Sequence, residues 1–447
     1  EKAALLDDAE AVRRATDIAE DVVDQLRDEL EAASWWGPDW AAQVIKEAFT
    51  EFNTACERWR SLYRAALADQ AEQNRLVLMA NLTPFERKAA ESRRREAENQ
   101  LRLLKNEDDG QSHSDFYTYR YLASEGFLPG YSFPRLPLAA YIPAVRQSTL
   151  NRDGGDYLQR PRFLAISEFG PRALIYHEGA RYEVTRVQIP MVQGQGVGSV
   201  DVEEARRCES CGYHHRRQPG LDVCENCGAE LIGVAQGLMQ MRTVFTRRRE
   251  RISSDEEERR RAGYELETSY RFAQHGQQVA RVDADINADG GVLGELSYGD
   301  TATIRVTNLG LRRRKDPTDR GYWLDTVSGQ WLSERAMAVA GDEDLPDAAQ
   351  VKSKQKVIPY VEDTRNIMVL RLANAVSDEV AVTLRVALER GIEAAFQLED
   401  SELSGELLPD ELERGRMLFT ESTEGGAGAS SSRMAAVCSS CGVVASS

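Results

Sequence analysis

Apolar residues recur at every third or fourth position through AVRRATDIAEDVVDQLRDEL and again through QVIKEAFTEFNTACERWRSLYRAAL, so residues 1–110 are predicted to form a helical region. SWWGPDW breaks the first run at Gly37 and Pro38. NLTPFERKAAESRRREAENQLRLLKNE restarts it, with Thr83 as cap, Pro84 in the first turn and Glu86 closing a capping box. Glu91 with Arg95 and Arg94 with Glu98 support a mostly polar helix of the kind that bridges parts of a larger assembly.

NEDDGQSHSD is a linker, and from Phe116 the texture turns aromatic and proline-rich. The period then changes to two. RFLAISEFG, ALIYHEGARYEV and TRVQIPMV read as strands, with a hairpin turn at Glu178 and Gly179, and LMQMRTVFTRRR, YELETSYRFA, QQVARVDADI, TATIRVTNLG and GYWLDTVSGQWL continue the strand pattern. The insert SSDEEERRR carries its own capping box from Ser254 to Glu257. GDEDLPDAAQVKSKQK is a polar linker. In SDEVAVTLRVALERGIEAAF the residues Val380, Leu384, Ala387, Leu388, Gly391, Ile392 and Ala395 share one helical face, flanked by strand-like QLEDSELSGELLP and RMLFTESTEGGAG.

The expected fold class is α+β and multidomain. It comprises a helical N-terminal region (1–110), an aromatic and proline-rich segment with a β-hairpin domain (116–204), a four-cysteine zinc knuckle (205–232), a β-rich domain (236–340), an α/β C-terminal domain (355–428) and a disordered, serine-rich tail (429–447).

With 42% hydrophobic and 29% charged residues over 447 positions, the composition is that of a soluble globular protein. LPLAAYIPAV, the longest nearly apolar stretch, is too short and too proline-rich for a membrane span. The opening EKAALLDDAE has neither an initiator Met nor a secretory leader, so the chain is expected to begin inside a longer polypeptide. Of its 7 cysteines, all but Cys56 fall in Cys-x-x-Cys pairs, which suits metal ligation in a reducing compartment, the cytoplasm by default.

Cys208, Cys211, Cys224 and Cys227 form C-x2-C-x12-C-x2-C, each pair followed by glycine. Four thiolates suit one closed, tetrahedral, structural zinc ion, with iron or a redox pair as the other occupants, and a closed site leaves no position for catalytic water. His214 and His215 are competing candidate ligands, expected rather on the knuckle loop near Arg216 and Arg217. Cys438 and Cys441 form a lone CSSC in the tail without two further ligands.

The formal net charge is −17, yet three basic clusters stand out: Arg206, Arg207, Arg216 and Arg217; Arg247, Arg248, Arg249 and Arg251; and Arg312, Arg313, Arg314 and Lys315. A local basic stripe binds phosphates despite an acidic whole, because salt screens distant charge. Aromatics between Phe116 and Tyr141 serve either to stack bases or to fill a core. No G-x-x-x-x-G-K-[ST], H-E-x-x-H or G-x-S-x-G occurs, so this chain is not expected to hydrolyse ATP through a P-loop or to be catalytic alone.

YRYLASEGFLPGYSFPRLPLAAYIP, PRFLAISEFGPRALIYHEGARYEV, the Cys-x-x-Cys knuckle, TRRRERISSDEEERRRAGYELETSYRF and VALERGIEAAFQLEDSELSGELLP with FTESTEGGAG occur in that order from about Phe116 to Gly428. Together they resemble the region downstream of the motor core in bacterial superfamily 2 DEAD/DEAH-box helicases that end in a helicase-associated, MrfA-like zinc-binding domain. The resemblance implies RecA-like lobes, upstream in the same polypeptide or in trans, that bind ATP and move on DNA in repair or phage defence. Relatives continue past the GGAG turn into a leucine-rich helix and a further cysteine group. Here Ala429 onward is serine and alanine, as truncation or a shifted reading frame would leave it.

Two functional expectations follow. The first is a zinc-binding accessory fragment of an ATP-dependent helicase or translocase, contacting nucleic acid, DNA above all, and no membrane. The second is a zinc-stabilised protein-interaction module of a repair or phage-defence complex that does not touch DNA.

Overall fold

A computed structural model describes residues 9–31, 37–79, 84–105, 118–125, 127–128, 137–143, 155–189, 200, 202–216, 220–249, 263–275, 278–288, 291–326, 328–332, 354–399, 402–408 and 415–421. The helical periodicity resolves into α1 (Ala9–Gln25), α2 (Arg27–Glu31), α3 (Trp40–Val77) and α4 (Pro84–Lys105), followed by short α5 (Thr118–Ser124). α3 and α4 pack along buried Ala65, Ala66, Ala90 and Ala97, small side chains that let the backbones approach. Trp59 Nε1 donates to Leu104 O at 3.1 Å, which ties the middle of α3 to the end of α4. Arg94 pairs with Glu98 at 3.6 Å as expected, whereas Thr83 and the Glu86 side chain lie outside the described residues.

The hydroxyl of Tyr121 on α5 donates to Ala55 O at 2.5 Å and accepts from Trp59 N–H at 2.8 Å. Those two backbone groups are four residues apart in α3, so the phenol is inserted into one rung of the helix ladder. Elsewhere in the aromatic segment, Phe127 meets Phe52 edge-on at 5.2 Å and Tyr141 packs against Tyr157 at 5.4 Å. These aromatics pack within the protein; Phe116, Tyr117, Tyr131 and Phe133 lie outside the described residues.

The strands follow as β1 (Leu138–Pro143), β2 (Gly155–Arg160), then helix α6 (Arg162–Glu168), β3 (Leu174–His177), β4 (Ala180–Val187), β5 (Glu203–Arg207), β6 (His214–Arg216), β7 (Ala235–Gln240) and β8 (Val244–Arg249). They continue as β9 (Tyr264–Arg271), β10 (Gln274–His275), β11 (Gln278–Val279), β12 (Val282–Ala288), β13 (Gly291–Leu311), β14 (Tyr322–Asp325) and β15 (Lys354–Leu372). Helix α7 (Asp378–Phe396), β16 (Leu403–Leu407) and β17 (Arg416–Glu421) complete the order. Among these strands, β2-β1-β8-β4-β3 form one sheet and β10 with β11 a small ribbon. The larger sheet runs β12-β13-β15-β7-β5-β6, with β9 added to β13, β14 and β17 to β15, and β16 to β17. It draws strands from all three of the stretches 205–232, 236–340 and 355–428.

Glu178 and Gly179, at φ 46° and 71°, make the expected turn between β3 and β4. RFLAISEFG is a helix rather than the expected strand. Pro161 precedes it at φ −51°, and Ala165, Ile166 and Phe169 are buried at helical spacing. LMQMRTVFTRRR is two strands in different sheets rather than one, because the chain turns at residues 241–243. TRVQIPMV contributes only the end of β4, and from Pro190 it lies outside the described residues. The capping insert at Ser254 and the tail with Cys438 and Cys441 also lie outside them.

Strand β15 is absent from the sequence-based expectation, which passes from the linker at 341–356 directly to the helix at 377–396. Its polar middle residues are satisfied in the fold: Arg365 binds Asp363 on the same strand at 3.2 Å, donates to Glu421 O of β17 at 2.8 Å and stacks over Phe163 at 4.5 Å. Alternation along β13, β15 and β17 sends Leu296, Tyr298, Met368, Leu370, Met417 and Phe419 to one face, under α7. Ser297, Val369 and Arg371 face the other side, where the cysteine knuckle sits. α7 starts at Ser377, whose hydroxyl accepts from Val380 N–H, with Asp378 and Glu379 in its first turn. Its buried side is Ala381, Leu384, Leu388 and Ile392, while Val380, Ala387, Gly391 and Ala395 of the expected face are exposed. The stripe is therefore rotated toward Ala381. No helix among the described residues is long and apolar enough to cross a membrane.

Arg305 of β13, 3% exposed, is clamped between Glu362 at 2.6 Å and Glu203 at 3.0 Å and stacks over Tyr360 at 4.2 Å. Tyr360 hydroxyl donates to Glu203 at 2.6 Å, so β5, β13 and β15 are bound through one guanidinium. Arg305→Met should cost about 3–5 kcal/mol by leaving the carboxylates without their partner. In urea denaturation, adding Glu362→Gln should recover part of that loss.

Candidate metal centre

The first two cysteines sit on the turn between β5 and β6, and the second pair on the turn after Val223. Both turns close in the same way. Gly212 N–H donates to Cys208 O and Gly228 N–H to Cys224 O, each at 2.9 Å, with the two glycines at φ 73° and 75°. That left-handed conformation is one glycine adopts without steric cost. Cys208 Sγ lies 3.6 Å from Cys227 Sγ, and Cys211 Sγ 3.6 Å from Cys224 Sγ, with all four sulfurs within 4.8 Å of one another.

Sulfurs bound tetrahedrally at about 2.3 Å stand about 3.8 Å apart, so the four thiols fit one metal ion. Without a cation the cluster cannot ionise fully. Hydrogen bonding to its neighbours, Cys211 first, lowers the Cys208 thiol, while contact with Cys208 raises Cys211 and pushes Cys224 up to about 12.

A second layer surrounds the sulfurs. His215 Nε2 stands 3.3 Å from Cys224 Sγ, its Nδ1 edge faces Glu225 at 3.4 Å, and Arg271 pairs with Glu225 at 3.7 Å. Asn226 Nδ2 donates to Cys211 Sγ at 3.7 Å and to the Tyr270 hydroxyl at 3.2 Å, while its carbonyl accepts from Arg281 at 2.6 Å. His214 and His215 are thus buried on β6 rather than carried on a loop as expected. Burial, then Arg305 and Arg271, holds His214 well below the ordinary imidazole range. Beside the knuckle, on the sheet face opposite α7, a cleft is lined by Cys227, Tyr270, Ser297, Arg281, Arg371 and Arg416.

Among solved structures, the chain is similar to that of the DUF1998 helicase MrfA bound to DNA. The TM-score is 0.28 and the identity 9%, over 77% of this chain and 33% of that one. The chain spans about a third of that protein's length. No family model and no curated protein matches it.

The basic clusters divide into tied and open residues. Arg206 binds Leu221 O at 2.6 Å and Asp222 at 3.0 Å; Arg207 pairs with Glu267 at 3.4 Å; Arg314 pairs with Glu265 at 2.7 Å. Glu265 and Glu267 are two residues apart on β9, so Arg314 and Arg207 are brought to the same strand face, about 7 Å apart along it. Arg247 and Arg249 both converge on Glu183, and Arg312 donates to Tyr264 O at 3.0 Å. Among the described residues, Arg216, Arg248, Arg313 and Lys315 are exposed and form no ion pair. Arg217 and Arg251 lie outside the described residues.

Sequence reasoning missed the layer behind the sulfurs. The signal was the identity of the residues inside CENC, where Glu225 and Asn226 fill the two spacer positions. Since neighbours raise Cys211 and Cys224, their protons must leave as metal enters, and binding therefore tightens as pH rises. In competition with a chromophoric chelator, zinc should saturate at one equivalent, with apparent affinity rising at least about tenfold per unit between pH 6 and 8. A pH-independent constant would contradict this.

Proposed function

We propose that this chain is the zinc-binding accessory part of an ATP-dependent DNA helicase or translocase, and that it contacts nucleic acid without hydrolysing ATP itself. The observation that carries the reading is the four-sulfur seat, with the geometry of a closed tetrahedral site, set inside the ordered motifs that resemble the region downstream of a bacterial superfamily 2 motor core. The ion is zinc and its role is structural, since four protein sulfurs fill the coordination shell. It fixes the turn between β5 and β6 and hence the position of Arg216. The motor lobes act from upstream in the same polypeptide or in trans, in the cytoplasm and away from membranes.

In this reading the cations divide by task. Arg206, Arg207, Arg249 and Arg314 hold strands and turns together through carboxylates, while Arg216, Arg248, Arg313 and Lys315 are open to phosphates. A second reading, a protein-interaction module that leaves DNA alone, is favoured by one observation. α7 exposes Val382 and Val386, at 45% and 41%, four residues apart on the side away from its sheet.

Single-strand binding measured by anisotropy at several salt concentrations separates the two. Each phosphate contact contributes about −0.7 to the slope of log K against log salt. Replacing Arg216, Arg313 and Lys315 with Ala should flatten the slope by about one to two units and leave the melting temperature unchanged. Arg207→Ala should instead lower the melting temperature. An unaltered slope in the triple variant, or no binding at low salt, would favour the interaction module.

A further inference from the structure

The four sulfurs differ in what donates to them. Cys224 Sγ is approached by His215 Nε2 at 3.3 Å. Cys211 Sγ receives the Asn226 side chain at 3.7 Å, and Cys208 is wholly buried. No side chain outside the sulfur cluster donates to Cys227 Sγ among the described residues, and it stands 3.6 Å from Cys208 Sγ. Cys208, Cys211 and Cys224 are buried, whereas Cys227 is partly exposed and lines the arginine-bordered cleft.

Each hydrogen bond to a thiolate withdraws electron density from sulfur and lowers its reactivity toward electrophiles, and burial removes the approach path. Both effects favour Cys227. We propose that Cys227 is the modification site of the knuckle, the metal-bound sulfur through which soft electrophiles enter and metal leaves, with His215 and Asn226 shielding the partners on either side. The proposal rests on the zinc reading above and adds an order of reactivity to it. With a haloacetamide, the Cys227 thiolate attacks the methylene carbon, an S–C bond forms, the C–I bond breaks and iodide departs. The thioether is a neutral, weaker ligand, so the ion is left on three thiolates and becomes labile.

The full chain, loaded with zinc and assayed for metal by elemental analysis, is treated with less than one equivalent of iodoacetamide. Peptide mass spectrometry locates the label, and a chromophoric chelator reports released zinc. Among the four ligands, Cys227 should be labelled several-fold ahead of the others, with zinc release following its labelling. Asn226→Ala should raise labelling at Cys211, which borders the same cleft, several-fold. First labelling at Cys208, Cys211 or Cys224 in the unmodified protein, or an unchanged pattern in Asn226→Ala, would overturn the proposal while leaving the zinc reading standing. A folded starting protein that takes up no metal would overturn both.

Discussion

Strands β13 and β15 pair antiparallel from Gly294 with Leu372 to Thr307 with Tyr360, and the other strands of the larger sheet join their outer edges directly or through a neighbour. Two strands of this length twist on the way. One end carries β12, β17, β16 and α7, the other β9, β14, β7, β5 and β6, and a register shift between Gly299 and Ala302 marks the passage. Because side chains alternate across a strand, this pairing also decides which residues face α7 and which face the knuckle. A slip of one residue would exchange the apolar floor of α7 for Glu295, Ser297 and Arg371.

The metal seat depends on that frame at several points. β5 and β6 reach the sheet through β7, and Arg305 joins β5 to the central pair. Tyr213, Tyr270 and Phe272 pack edge-on beneath the knuckle, with centroids 5.5 Å apart in the Tyr213–Tyr270 and Tyr270–Phe272 pairs. The cysteines thus belong to the main core rather than to an appended finger. Arginines face this region, and were four thiolates to hold a divalent ion there, the net charge of about −2 would call for such offsetting surroundings.

Local signals were legible where one period or one spacing sufficed. Helices α1, α3, α4 and α7, the turn at Glu178 and Gly179, and the cysteine quartet follow from residues close in sequence. What escaped depends on distant partners. β15 went unassigned, and its charged middle finds partners only in the fold, where Arg305 binds Glu362 and Arg365 binds Asp363. RFLAISEFG alternates just enough to suggest a strand, and only its docking through Ala165, Ile166 and Phe169 selects the helix. Arginine runs suggested basic stripes, yet many of these side chains are tied to carboxylates, Arg206 to Asp222, Arg207 to Glu267, and Arg247 and Arg249 both to Glu183. Clustering in sequence measured local charge, not free charge.

The Tyr121 hydroxyl in the ladder of α3 makes the integrity of one helical rung depend on a different segment of chain. If α5 separates from α3, Trp59 N–H and Ala55 O are released toward each other, and the helix can close its own bond. Undocking is thereby compensated at the point of contact, and because the acceptor of the Trp59 amide changes from a phenol oxygen to a carbonyl, the chemical shift of that one amide becomes a local gauge of whether the segment leading into the β-sheets is seated on the helical region.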